Sequence, residues 1–165
     1  MKIRKTTFND MSAAMNIYSG ARNFMTAKGN PNQWTNGYPS EDFIINDINN
    51  GNSYVIVDGK KKITGIFTFI IGTDPTYDII ENGKWLNDKP YGVIHRIASS
   101  GQTKGITEIC LNWCFEQIDN IRIDTHKDNK PMKDAIIRNG FEYCGIIYCH
   151  NGTKRIAFQK YIGNE

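Results

Sequence analysis

The run from Tyr91 to Thr125 constrains the fold more than any other part of this 165-residue chain. It opens on the apolar stretch YGVIHRIA, passes through SSGQTKG, continues as ITEICLNWCFEQ and ends in NIRIDT. The first and last pieces are short, apolar and β-branched, as strands are. In the middle piece Ile106, Ile109, Cys110, Trp113 and Cys114 fall at helical spacing on one face. A strand, a helix and a second strand in that order are expected to be parallel neighbours with a right-handed crossover. Whatever surrounds this unit must extend its sheet.

The flanks supply antiparallel pieces. SYVIVDGKKKITGIFTFIIG reads as a hairpin turning at Asp58-Gly59, and FEYCGIIYCHNGTKRIAFQKYI as one turning at Asn151-Gly152. Lys2–Lys5 is a first short strand. Asn9 or Asp10 is placed to cap a helix running to about Lys28, and Ser40 to cap a second one that Gly51 ends. GNPNQWTNGYPS between them is loop. KPMKDAIIRNG is a short helix with Pro131 in its first turn and Gly140 at its end. The order βααβββαβαββ predicts an α/β protein of the α+β type. It has a mixed, mostly antiparallel seven-stranded sheet flanked by about four helices, in one domain spanning residues 1–165.

Composition narrows the function classes. A formal charge of +3 without a Lys/Arg stripe gives no nucleic-acid footprint; the one basic cluster, DGKKKI, sits in a hairpin turn. No apolar run is long enough for a membrane span, and MKIRKTTFND lacks the apolar core of a secretion signal. Cys110, Cys114, Cys144 and Cys149 show neither a CxxC pair nor zinc spacing, so no metal is expected. Reduced thiols in a cytoplasmic protein are the expectation. A homodimer is left open.

The turn IASSGQTKGITE is the piece with chemistry in it. A helix N-terminus presents unpaired N–H groups and a partial positive charge, a seat for a diphosphate. Gly101 and Gly105 allow close approach, Lys104 adds a cation and Thr107 a hydroxyl. A loop that merely turns is the other reading. The pattern is neither a P-loop nor GxGxxG.

On three features the chain resembles the GNAT superfamily of acetyl-CoA-dependent N-acetyltransferases. Gln102-Thr103-Lys104-Gly105-Ile106-Thr107 is similar to its pyrophosphate loop, Arg/Gln-x-x-Gly-x-Gly/Ala. The loop lies between a strand and a helix. HKDNKPMKDAIIRNGFEYCG is similar to its later Asn, short helix and Gly-Phe. The resemblance implies acetyl-CoA as co-substrate, bound by the loop, by the strand end Ile97-Ala98 and by Asn129, which could equally cap the helix at Pro131. Two positions depart from the pattern. Thr107 stands at the final Gly/Ala, and Ile136 stands where the family often has a tyrosine that protonates the leaving thiolate.

Strand alternation puts Tyr91, Val93, His95 and Ile97 on one side. If Ile97 flanks the cofactor arm, His95 lies near the acetyl group, and an imidazole, titrating at about 6.5, suits a base. A hydrogen-bonded structural histidine is the competing reading. Arg96 is expected to face the other way and to pair with a carboxylate or a carbonyl. His126, at the end of NIRIDTH, is either a relay or a solvated loop residue. The acceptor, a small-molecule or peptide amine, is expected among Trp34, Tyr38, Tyr77, Glu81, Trp85 and Tyr91, residues that could instead be ordinary surface or core. Three activities fit: acetyl transfer to an amine, transfer of a longer acyl group, and a non-catalytic sensor of acyl-CoA or a small ligand.

Overall fold

A computed structural model describes residues 1–164. Seven strands form one sheet in the order β1-β2-β3-β4-β5-β7-β6. They are β1 (Lys2–Lys5), β2 (Ser53–Val57), β3 (Ile63–Ile71), β4 (Gly92–Ser99), β5 (Asn120–Thr125), β6 (Glu142–Tyr148) and β7 (Lys154–Tyr161). The helices are α1 (Met11–Ala27), α2 (Glu41–Asn49), α3 (Ile106–Gln117) and α4 (Lys130–Arg138). Every neighbouring pair is antiparallel except β4 and β5, which are parallel and joined through α3. The expected fold class, element order and both hairpins are therefore present.

Two apolar layers clamp the sheet. On one face Ile56, Phe67, Phe69, Ile94, Ile121 and Ile123 pack against Ile106, Cys110, Leu111 and Cys114 of α3 and Ile136 of α4. On the other, Val55, Val57, Ile66 and Ala98 meet Ala14, Ile17 and Tyr18 of α1 and Ile44 of α2. Each buried Ile, Leu or Phe contributes about 1.5–3 kcal/mol relative to exposure. A third cluster, Tyr77, Tyr91, Val93, Ile147 and Ala157, lies toward β6 and β7.

The helix starts differ in detail from the expectation. A 3-10 turn, Phe8–Asp10, precedes α1. Asp10 turns its carboxylate back to the Thr7 N–H (2.8 Å) and to Arg4 (2.8 Å) rather than capping α1, because a cation on β1 is the stronger partner. Ser40 precedes α2 but its hydroxyl makes no cap bond. No helix among the described residues is long and apolar enough to cross a membrane.

Candidate active site

The site begins with an irregularity in β4. Along β3 its register slips between Ile66, opposite Ala98, and Thr68, opposite His95, so that Phe67 faces both Arg96 and Ile97. This β-bulge puts Arg96 in the left-handed region, φ 51°. That conformation costs a non-glycine residue about 1–2 kcal/mol, and a buried network offsets it. The Tyr18 hydroxyl donates to the Arg96 carbonyl at 2.9 Å. The guanidinium donates to both oxygens of Asp47 at 3.0 and 2.7 Å and to the Tyr38 hydroxyl at 2.9 Å. Asp47 also accepts the Thr68 hydroxyl at 2.7 Å.

The bulge corrects the simple alternation. Ile97 packs with the layer under α3, whereas His95 stays on the face of Thr68, its pairing partner. The two do not share a side, because the extra residue reverses the pleat between them. Arg96 does find a carboxylate, but it reaches the same Asp47 that Thr68 does, so it is not turned away from the His95 face.

The sheet opens just ahead of the bulge. β4 and β5 pair only at Gly92–Ile121 and Val93–Arg122. From Ile94 onward β4 has no strand partner on that side among the described residues, and a cleft of about 700 Å³ runs between the strands. Val93 to Ile97, Ile123 to Thr125, Asn129 and Met132 line it, with the loops at Gln33–Tyr38 and Thr73–Thr76 and the β6–β7 turn. Gln33 spans the opening. Its side-chain oxygen accepts from Asn129 Nδ2 (2.8 Å) and Asn30 Nδ2 (2.9 Å), and its carbonyl accepts from Arg155 (3.1 Å).

His95 lines this cleft with its Nε2 2.7 Å from Asp74 Oδ2. Asp74 caps a 3-10 turn, Pro75–Tyr77, by accepting the Thr76 N–H (2.9 Å) and hydroxyl (2.7 Å) on Oδ1. Its own N–H donates to the Tyr91 hydroxyl (3.0 Å). Burial pushes the Asp74 carboxyl up, but the bonds from His95 and Thr76 outweigh it and hold it at about 2. An ionised carboxylate only accepts, so Nε2 carries the proton and the lone pair of the neutral ring is on Nδ1. A histidine so oriented is built to take a proton at Nδ1.

At the end of β4 the quoted turn leads into α3. Gly101 and Gly105 have φ of 80° and 78°, and Gly105 stands at the start of α3 with no side-chain cap. The Gly101 and Gln102 N–H groups are taken by the Ser99 and Ser100 hydroxyls. The next six N–H groups, Thr103 to Glu108, bond no protein acceptor among the described residues; the intrahelical ladder begins at the Ile109 N–H. Six free donors at a helix N-terminus fit a diphosphate. Lys104 is exposed and Thr107 half-buried beside them, while the Gln102 side chain is engaged by Lys62.

The other sequence-predicted residues divide. Trp34 and Tyr38 line the cleft, ring against ring. Tyr77, Glu81, Trp85 and Tyr91, expected beside the acceptor, do not line this cleft. Their segment is sewn onto the sheet. Glu81 pairs by backbone with Ile146 and accepts the Tyr148 hydroxyl. Trp85 donates to the Tyr77 carbonyl, and the Trp85 and Tyr91 rings both stack on the Arg122 guanidinium. His126 stands beside the cleft rather than in it, its Nδ1 accepting the Asp128 N–H at 3.0 Å. Burial, then the charge of Arg155, lower its pKa. Asn129 caps α4 by accepting the Met132 N–H. Ile136 is fully buried in the core.

Sequence reading missed Asp74, Asp124, Arg155, Gln33 and His150, all of which line the cleft. Only Asp74 had a readable signal, an Asp before Pro75 where a capped turn starts.

The chain is 31% identical to an acetyltransferase of the GNAT family from Streptococcus agalactiae 2603. The similarity covers 99% of this chain and 96% of that one, with a TM-score of 0.89. An acetyltransferase of the GNAT family from Listeria monocytogenes 4b F2365 shares the fold at 18% identity (TM-score 0.71, coverage 98% and 94%). So does the ribosomal-protein-S18-alanine N-acetyltransferase from Escherichia coli, at 12% (TM-score 0.65, coverage 99% and 95%). No protein-family model and no curated protein matches the chain.

Proposed function

Because the chain belongs to the GNAT family of acetyltransferases, we propose that it is an N-acetyltransferase moving an acetyl group from acetyl-CoA to a primary amine. The observation that carries this reading is the row of six unbonded N–H groups, Thr103 to Glu108, directly after a strand whose inner edge is unpaired. Such a row fits the pyrophosphate, and an open strand edge fits an extended amide-bearing arm. Acetyl-CoA would supply the activated thioester. The chain would bind it through residues 102–107, Ile97, Ala98 and Asn129.

His95 would take the proton that the amine loses, at Nδ1. Asp74 positions the ring and stabilises the imidazolium that forms. Trp34 and Tyr38 would wall the cleft beside the reacting amine. Ile136 has no proton to give and is buried, so either another group protonates the thiolate or it leaves without help. A thiol with an ordinary pKa of about 8.5 is a good enough leaving group for that.

The buried Ile136 also favours a second reading, a sensor that binds acyl-CoA without turning it over. Release of free thiol with a panel of amines decides between them. A sensor binds acetyl-CoA in calorimetry and releases none; an enzyme releases thiol only when an accepted amine is present.

A further inference from the structure

Two opposite charges face the cleft, neither with a counter-charge among the described residues. Arg155 of β7 is 6% exposed. Three of its five N–H donors go to neutral oxygens: the Thr153 hydroxyl (3.0 Å), the Lys154 carbonyl (3.0 Å) and the Gln33 carbonyl (3.1 Å). Among the described residues no carboxylate pairs with it and no ring stacks on it. The other arginine buried as deeply, Arg122, lies between two aromatic rings and away from the cleft. Arg96, on the cleft wall, is neutralised by Asp47. A buried, uncompensated guanidinium is costly to keep unless something from outside completes it.

The anion is Asp124 of β5. It sits opposite Ala157 in the register, and Ala157 shares a face of β7 with Arg155, so Asp124 and Arg155 are diagonal neighbours on one face. They make no ion pair with each other. Asp124 accepts the Tyr77 hydroxyl at 2.7 Å and pairs with no cation among the described residues. The Tyr77 ring in turn lies 6.4 Å from the ring of His95, so one tyrosine touches both Asp124 and the surroundings of the dyad. The cleft thus offers a carboxylate linked through Tyr77 to the surroundings of the base and a guanidinium one diagonal away.

We propose that the acceptor is a small free amino acid, its ammonium held at Asp124 within reach of His95 and its carboxylate on Arg155. The guanidinium fork with two open donors matches a carboxylate, and a simple alkylamine would leave it unpaired. This rests on the acetyl-transfer reading for the word acceptor, though not for the binding site itself.

The test compares free amino acids, α- and ω-, with their carboxamides, which keep the amine and remove the negative charge. In thiol-release kinetics the acids should exceed their amides in kcat/KM by about tenfold or more, the loss of one charge-assisted contact. In R155M that ratio should fall to near one, and in R155K it should be partly kept. Amides used as well as acids by the unmodified protein would overturn the proposal, and that comparison needs no variant to fold. A preference surviving in R155M overturns it too. So does a loss of acetyl-CoA affinity in R155M, which would put the guanidinium on the co-substrate. If no amine releases thiol, the acetyl-transfer reading fails, and calorimetry still decides the site. Binding of acids but not amides supports it, and binding of neither overturns it.

Discussion

Replacing Asp74 by asparagine should silence His95 by moving one proton across its ring. Asp74 uses Oδ1 for the Thr76 N–H and hydroxyl and Oδ2 for His95 Nε2. In D74N one of those two positions becomes an NH₂ group. The Thr76 hydroxyl can rotate, but its amide N–H can only donate, so the remaining oxygen stays on that side. The NH₂ then faces His95, and Nε2 must accept, which forces the proton onto Nδ1. The nitrogen assigned to take the amine proton has lost its lone pair. Loss of a general base costs about 10²–10⁴ in rate, and a misplaced tautomer in a Ser-His-Asp site about 10⁴. We expect kcat to fall by about 10²-fold or more while acetyl-CoA affinity stays near its original value. Thiol release at saturating acetyl-CoA, followed through the imidazole range, gives both the rate and the acidic limb of its pH profile. H95Q should match D74N, and the double variant should be no worse than the poorer single, since both remove one device. A D74N protein within about twofold of the original rate, or additive losses in the double variant, would refute the dyad. If H126Q loses the acidic limb while H95Q keeps it, the proton leaves by the other histidine.

Four further outcomes are expected. G105A keeps an open space for its Cβ but must hold a φ of 78°, so acetyl-CoA affinity by calorimetry should fall by about 5- to 30-fold, the 1–2 kcal/mol of left-handed strain. Y18F removes the bond to the Arg96 carbonyl and should lower urea stability by about 1 kcal/mol. I136Y puts a phenol into a fully buried core position; it should destabilise by about 1–3 kcal/mol or more and give no gain in turnover. The Asp74 carboxyl, held at about 2 against an ordinary 3.8, contributes about 2 kcal/mol that is present above about pH 4 and lost as pH falls through about 2; D74N should lack that acid-dependent component in urea titrations.

The fold was legible where pattern and packing agree. The switch from period two to period 3.6 at Ser99–Gly105 located β4 and α3, and the Asp58-Gly59 and Asn151-Gly152 turns located the hairpins. Local chemistry also made the turn at residues 101–107 visible as a donor-rich helix start. The acceptor side was not legible. Tyr77, Trp85 and Tyr91 have the composition of a ligand pocket, yet the same aromatic surface is what holds their segment down on the sheet. Nothing local separates an aromatic that packs from one that binds. Arg155 was hidden for the opposite reason. In sequence it is a basic residue in a strand near a turn, and only the register of β7 on β5 turns it inward.

The two decisive irregularities, the bulge and the splay, belong together. An extra residue on one strand raises its local twist and turns it away from a neighbour that does not share the insertion. β4 keeps β3 as a partner through the bulge but stops pairing with β5 three residues before Arg96. The edge exposed by that divergence is where the cleft opens, so the left-handed residue and the opening are one structural event seen from two sides. Its anchors come from elsewhere in the chain: Tyr18 on α1, Asp47 on α2 and Tyr38 in the loop between them. The helices that look like mere cover for the sheet therefore hold the strand geometry that makes a site possible. They also tie the loop carrying Trp34 and Tyr38 to the strand carrying His95. A change that loosens Arg96 should therefore disturb the cleft wall and the base together.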